Sequence, residues 1–310
     1  METILLDNSI DNRKICSNAV VVLGFFDGVH IAHQKIIFKA RKIADDKQVP
    51  LVVLTFDKHP KELYLDDKKF KYIDTLSEKT AKMRKFNVDL LVVMTFNEST
   101  CRLKPADFID NVILMFNPSV VVVGYDYTYG PKKIANIQTL LTYSKGKFDL
   151  VIEPEATFKG VKIGSTEIKE AISHGNVKLA ADLLGCPYSM SGVVVHGFHR
   201  GHMLGFPTAN LCINCKKILP CNGVYATQTL IKGKLYNSMT SVGYNDTFNN
   251  NNKKTIETYI FDFCEDIYDE KIILYWYEFI RDNIKFNDIN SLIKQLNIDK
   301  TNIQRYFDKK

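Results

Sequence analysis

No window of this chain comes near the roughly 20 consecutive apolar residues that a membrane-spanning helix requires. The opening residues METILLDNSIDNRK hold neither a long apolar run nor a small-residue cleavage site. Neither a membrane span nor a secretory leader is expected from them. Cysteine is thinly used. Seven are scattered along 310 residues. Cys212, Cys215 and Cys221 fall close together, but a fourth ligand at regular spacing is missing, which argues against a zinc cluster and for free thiols in a reducing cytoplasm. The formal net charge of +6 suits anionic small molecules and does not by itself establish nucleic-acid binding, which would call for a clustered basic stripe with interleaved aromatics; nucleic acid is not an expected partner. With 45% hydrophobic residues the chain is not disordered, and its length suits two domains better than one.

What is present begins with apolar, β-branched runs at 19–25, 51–56, 90–96, 120–124 and 148–152, separated by helix-length segments. Strands this apolar are covered on both faces, which predicts a doubly wound parallel α/β sheet in the first half. In the first intervening helix Ile36, Ile37, Ala40, Ile43 and Ala44 form one stripe at three-to-four spacing. Polar punctuation follows the strands at 27–33, 57–60, 97–98 and 125–126, and ligands of open α/β sheets collect at those carboxyl ends. Past Leu184-Gly185-Cys186-Pro187 the character changes. Short apolar segments at 192–195, 209–213, 224–230, 234–242, 256–263 and 272–279, with turn residues between them, predict a small antiparallel β-barrel. A closing helix follows, with Ile289, Leu292, Ile293 and Leu296 at helical spacing. The expected domains are 1–185 and 186–310.

Two strings carry chemistry. At 20–34, VVVLGFFDGVHIAHQ reads as a buried strand feeding a helix, with Gly28 permitting a tight turn and His30 and His33 on one face of the first helical turn. Isolated, two histidines at this spacing are more often surface residues than catalysts, and zinc would need further ligands. At 197–210, GFHRGHMLGFPTAN places glycines at 197, 201 and 205, where backbone N–H groups can approach phosphate oxygens. Thr208 and Asn210, alternating along a strand, offer two oxygen ligands to one magnesium ion.

The first string resembles the G-x-F-D-G-x-H-x-G-H signature of the nucleotidyltransferase superfamily, in the form carried by the adenylyltransferase module of bacterial bifunctional riboflavin kinase/FAD synthetases, with Ala32 where Gly is usual. TFDKHP at 55–60, VVVGYDYTYG at 121–130 and IGSTEIK at 163–169 resemble further motifs of that module, with Lys58, Tyr127, Tyr129, Gly164 and Lys169 as departures. The second string resembles the G-F-P-T-A-N motif of riboflavin kinases. The resemblance covers almost the whole chain. It implies a Rossmann-like nucleotidyltransferase sheet followed by the kinase barrel, acting in the cytoplasm on riboflavin, FMN, FAD and ATP with Mg²⁺. It further implies ATP contacts at Gly24, Phe25, Asp27, Gly28, Ser165, Thr166 and Lys169, and at Gly197, Gly201 and Gly205. Flavin contacts are implied at His59, Asp126, Tyr225 and Arg281, and magnesium ligands at Thr208 and Asn210.

The two implied steps differ in their demands. A ribityl hydroxyl is a poor nucleophile and needs a general base, for which Glu257, in the place of the family's V-E-V-H segment, is the candidate. FMN attacks through a phosphate whose second pKa is about 6, so no base is needed. Adenylyl transfer requires positioning and cations, expected from His30, His33, Lys169 and the start of the helix at Ser165 and Thr166. Two alternatives stay open: an enzyme with only one of the activities, and a flavin-binding regulator that holds nucleotide or RNA without turnover. A homo-oligomer is also open.

Overall fold

The computed structural model describes residues 1–7, 14–64, 70–197, 204–244 and 254–309. Gly201 and the asparagine run at 249–252 lie outside the described residues. The chain divides into two compact units, Met1–Ser165 and Thr166–Lys310.

The first unit runs β1 (Glu2–Leu6), β2 (Ala19–Leu23), α1 (Ile31–Lys47), β3 (Leu51–Phe56), α2 (Pro60–Tyr64), α3 (Leu76–Lys85), β4 (Leu90–Met94), α4 (Glu98–Cys101), α5 (Pro105–Asn111), β5 (Pro118–Gly124), α6 (Ile137–Tyr143) and β6 (Asp149–Glu153), then a small hairpin of β7 (Thr157–Phe158) and β8 (Val161–Lys162). Strands β1 to β6 form one parallel sheet in the order β1-β4-β3-β2-β5-β6. The five expected strands are there. Alternate residues of β2 feed opposite cores: Val21 and Leu23 pack with α5 and α6 residues on one face, Val20 and Val22 with α1 and Met83 of α3 on the other. This two-sided burial is why the run reads as continuously apolar. Connections from β2 build the sheet outward on one side and those from β5 on the other. The carboxyl ends of β2 and β5 therefore flank the switch point where such sheets bind ligands.

The second unit comprises α7 (Ser165–Ser173), α8 (Val177–Leu184), β9 (Tyr188–Val195), β10 (Thr208–Ile213), β11 (Gly223–Ile231), β12 (Lys234–Tyr244), β13 (Lys254–Ile260), β14 (Lys271–Arg281) and α9 (Ile289–Asp308). Its strands close into an antiparallel barrel in the order β10-β13-β12-β11-β14-β9. Lys232 and Gly233, both at positive φ, make the two-residue turn between β11 and β12, the conformation that matches strand twist. Helix α8 packs on β9 and β14, so 166–185 gathers with the barrel even though the composition changes near 185.

Inside the barrel, Trp276, Tyr225 and Tyr188 are buried beside a hydroxyl ladder in which Thr227 meets Ser238 and Thr240, and Thr240 meets Thr258 at 2.9 Å. Helix α9 covers the outside of β11–β13 through Leu296, Ile303, Tyr306 and Phe307, against Val224, Ala226, Met239 and Phe261. The expected apolar face is thus shifted toward the helix C-terminus. Ile289 is 63% exposed, because the side chains of the helix that pack on the barrel cluster begin at Leu296, about two turns on.

Candidate active sites

In the first unit the loop from β2 to α1 has an unusual backbone. Phe26, Gly28 and Val29 all have positive φ, at 57°, 85° and 44°. This conformation is uncommon for any residue with a Cβ and an outlier for a β-branched one. Gly24 is needed for a different reason: a Cβ there would lie 2.6 Å from the Phe26 ring. The loop is pinned from several sides. Asp27 Oδ1 accepts the N–H groups of Ile73 (2.9 Å) and Asp74 (3.2 Å), and the Ser165 hydroxyl donates to the Asp27 carbonyl at 3.0 Å. Ser165 is the first residue of α7 and spends its hydroxyl on this loop rather than on a cap.

His30 is the N-cap of α1: its Nδ1 accepts the His33 N–H at 3.4 Å, and the two rings stack with centroids 3.5 Å apart. Burial holds His30 far below its ordinary 6.5, at about 3; Asp126 acts the other way, and Lys82 and Lys162 add to the lowering. Burial, then His30 and Lys79, also hold His33 well below 6.5, and its Nδ1 is buried without a hydrogen-bond partner. Both imidazoles are neutral at physiological pH, so they offer hydrogen bonds and not charge. With Nδ1 of His30 accepting, its proton sits on Nε2.

Charge comes from residues that sequence reasoning missed. Lys79, 3% exposed, donates to the Phe25 carbonyl (2.8 Å), the Thr55 hydroxyl (3.2 Å) and the Phe56 carbonyl (3.4 Å), and lies 4.1 Å from the centroid of the Phe25 ring. Lys82, one turn on, donates to the Gly28 carbonyl at 3.1 Å and pairs with Asp74 at 2.7 Å. A signal existed. Leu76, Lys79 and Met83 share the apolar stripe of α3, and a lysine inside such a stripe calls for buried acceptors.

The remaining predicted residues of this unit lie near the same strand ends. His59 Nδ1 accepts the Lys61 N–H at 3.0 Å, and its ring packs edge-on to Phe25 and stacks on Phe70, both at 4.8 Å. The His59 backbone N–H donates to the Tyr72 hydroxyl, which in turn donates to Glu62. Asp126 is exposed and paired with Lys162 at 3.0 Å. Thr166 and Lys169 belong to the second unit, on α7, where Ile168 and Ile172 are buried and Lys169 is half-buried.

In the barrel, register collects a second group. Asn210 opposes Glu257, Glu257 opposes Ser241, Ser241 opposes Val224, and Val224 opposes Arg281. Directly opposed residues share a face with Cβ atoms about 5 Å apart, and Thr208, two residues from Asn210, is on that face too. Gly197 meets it closely: a Cβ there would collide with the Asn210 side chain. Gly205 takes φ +77° with open space beside it. A cavity of about 360 Å³ adjoins, lined by Val194, Pro207, Thr208, Phe263, Ile267 and Tyr268 among others.

The two flavin contacts expected in this unit lie on different rows of the barrel. Tyr225 belongs to the alternate row, with Thr240 and Thr258, and is buried inside the barrel. Its hydroxyl donates to the Cys221 carbonyl at 2.8 Å, and its ring packs edge-on to Trp276 and Phe279. Arg281 is on the outer face but engages Asp299 of α9 through three hydrogen bonds of 2.7–3.1 Å, so it docks the closing helix.

The family model described as FAD synthetase matches residues 12–167, and the one described as riboflavin kinase matches 184–307. A bifunctional riboflavin kinase/FMN adenylyltransferase of Listeria monocytogenes is 40% identical over 311 residues, covering 100% of this chain and 99% of the relative. That of Bacillus subtilis is 38% identical over 94% of this chain and 93% of its own. A Streptococcus pneumoniae chain, solved under the name macrolide-efflux protein, superposes with a TM-score of 0.91 at 35% identity, covering 98% and 99% of the two chains. Among the described residues here, no helix is long and apolar enough to cross a membrane.

Proposed function

This chain belongs to the bifunctional riboflavin kinase/FMN adenylyltransferase family, and we propose how its two sites divide the work of that enzyme. It phosphorylates riboflavin to FMN with ATP, then transfers AMP from a second ATP to FMN, giving FAD and pyrophosphate. The observation that carries the reading is the tandem match of both families, each over a half with its own polar group assembled on the fold. Residues 1–185 carry adenylyl transfer and 186–310 carry phosphorylation. The setting is the cytoplasm, without nucleic acid.

In the kinase half, Glu257 accepts the proton of the ribityl hydroxyl as its oxygen attacks the γ-phosphorus and ADP leaves. The Gly197–Asn210 approach and Gly205 shape the phosphate loop. Magnesium suits the donors here: Thr208 and Asn210 present oxygens on one strand face, the ligand type this cation takes together with substrate phosphates. When bound, the ion offsets charge on the transferring phosphoryl group. In the adenylyl half the FMN phosphate oxygen attacks the α-phosphorus and the bond to pyrophosphate breaks. No proton must be removed, so neutral His30 and His33 orient phosphate oxygens by hydrogen bonding. Phe25 borders the ATP and His59 the flavin, and Thr166 and Lys169 are carried as ATP contacts by the resemblance of the motif at 163–169.

The test is an incubation with riboflavin, ATP and Mg²⁺ resolved by chromatography, for wild type and Glu257→Gln. Wild type makes FMN and then FAD. The variant loses FMN formation by on the order of 10²- to 10⁴-fold and still converts supplied FMN to FAD. Loss of both activities in folded protein removes Glu257 from the base role.

A further inference from the structure

The β2–α1 loop holds three left-handed residues within four positions, and such a course persists only where its surroundings over-determine it. The contacts that do so converge from α3. Lys79 and Lys82 stand three residues apart and therefore on one helical face, and each ammonium takes a main-chain carbonyl of the loop, Phe25 and Gly28 respectively. Lys79 has three acceptors within hydrogen-bond reach, matching its three N–H bonds, with no place left for solvent. Thr55 extends the clamp: its hydroxyl donates to the same Phe25 carbonyl at 2.9 Å while accepting from Lys79. The capping box of Thr75 and Glu78 fixes the start of α3, and so fixes where both ammonium groups sit.

We infer that Lys79, seconded by Lys82, is a positioning residue for adenylyl transfer, which holds the loop carbonyls inward and sets the backbone between β2 and the histidine-capped helix in the shape that receives ATP. The inference rests on the adenylyl-transfer reading of the first unit. The two lysines also put two positive charges under a loop that meets an anion, which neutral His30 and His33 do not supply.

Burial draws Lys79 down from 10.5 to about 8, against the pull of Asp27 in the loop, Asp74 before α3 and Asp57 after β3. Its other charged or titratable neighbours are His33 on α1, held neutral, and Lys82 on its own helix. As pH rises through about 8, Lys79 loses a donor and gains a lone pair facing acceptors, so the clamp loosens. The kcat/KM of FAD synthesis for ATP, which reports the free enzyme, should fall across that range, while riboflavin phosphorylation keeps its own profile.

The experiment measures FMN-to-FAD conversion against ATP concentration from about pH 6.5 to 9.5 in wild type, Lys79→Met and Lys82→Met. Riboflavin phosphorylation and circular dichroism serve as controls. In Lys79→Met, kcat/KM for ATP should drop by on the order of ten- to 100-fold, the scale of a 1 Å misplacement. Most of the drop should lie in KM, and the alkaline fall should be gone. Lys82→Met should show a smaller drop and keep the alkaline fall. A folded Lys79→Met with wild-type kcat/KM, or one that retains the alkaline fall, overturns the role. If Lys79→Met does not fold, Lys82→Met decides: unchanged ATP dependence overturns the clamp, and a raised KM supports it. Wild type that makes no FAD from FMN refutes the underlying activity instead, and is told apart by that fact alone.

Discussion

Burial of an uncharged histidine couples stability to pH, and His30 is the place to measure it. Its folded pKa of about 3 lies below the ordinary 6.5, so between these values the unfolded chain binds the extra proton. Stability from this group is complete above about pH 6.5 and is lost as pH falls toward 3. At pH 5 the loss is about 2 kcal/mol, from 1.5 pH units at about 1.36 kcal/mol each. His33 acts in the same direction. The informative comparison is His30→Asn, because asparagine is among the best N-caps and can accept the His33 N–H without titrating. Urea unfolding followed by circular dichroism reads both units. Fluorescence of Trp276, the single tryptophan, which is fully buried in the barrel, reads the second unit alone. Wild type should lose about 2 kcal/mol more than His30→Asn in the first unit's transition between pH 7.5 and 5, with the fluorescence transition alike in both. Equal pH dependence of the two proteins would mean that His30 is not held neutral by the fold, and the account of the site as uncharged at its histidines fails with it.

Two more outcomes are expected. Lys169→Ala should raise KM for ATP in FAD synthesis severalfold while Lys169→Arg preserves or improves it, since guanidinium restores a bidentate fork to phosphate; steady-state rates check this, and a silent alanine variant removes Lys169 from the site. Asp299→Ala should destabilise the barrel unit by about 3–5 kcal/mol, because Asp299 is 1% exposed and its loss leaves the Arg281 guanidinium without its buried partner; a shift in the Trp276 unfolding transition below about 1 kcal/mol contradicts the docking role given to this pair.

Much of the fold is legible because burial on two faces leaves a plain mark. All five expected parallel strands and all six barrel strands appear. The edge strand β1 was not readable: it pairs with β4 on one side only, its Ile4 and Leu6 pack inward while Leu5 is 74% exposed, and five residues are too few for a period to stand out. Ile289 fits the helical stripe of α9 yet stays in solvent, because periodicity gives a face and not where along a helix the partner begins. Candidate residues on local strings are legible from their spacing: His30 and His33, three apart, stack their rings at the start of α1, and Thr208 and Asn210 alternate onto one face of β10. Residues that act from another element were not. Lys79 and Lys82 reach the loop from α3 more than 50 positions away, and only a charged residue in an apolar stripe hints at them. Tyr225 and Arg281 follow one another on neighbouring rows of the barrel register, which separates an interior ring from an outward guanidinium.

The two halves solve opposite chemical problems, and their polar groups are arranged accordingly. Phosphorylation of a hydroxyl needs a group able to take a proton, and Glu257 sits on a strand face opposite Asn210, half-buried and beside the cavity wall that includes Thr208. Adenylyl transfer starts from a nucleophile already ionised, and the carboxylate nearest the loop, Asp27, is turned to structural use, its Oδ1 taking two backbone N–H groups. The histidines beside it are neutral, the lysines beneath are committed to carbonyls, and the loop between them is strained. Such a site is built to fix geometry and potential before substrate arrives, which is where electrostatic preorganisation gains its advantage over water. It follows that changes to the loop's supports should act through ATP recognition, whereas loss of the barrel's carboxylate should act on the chemical step.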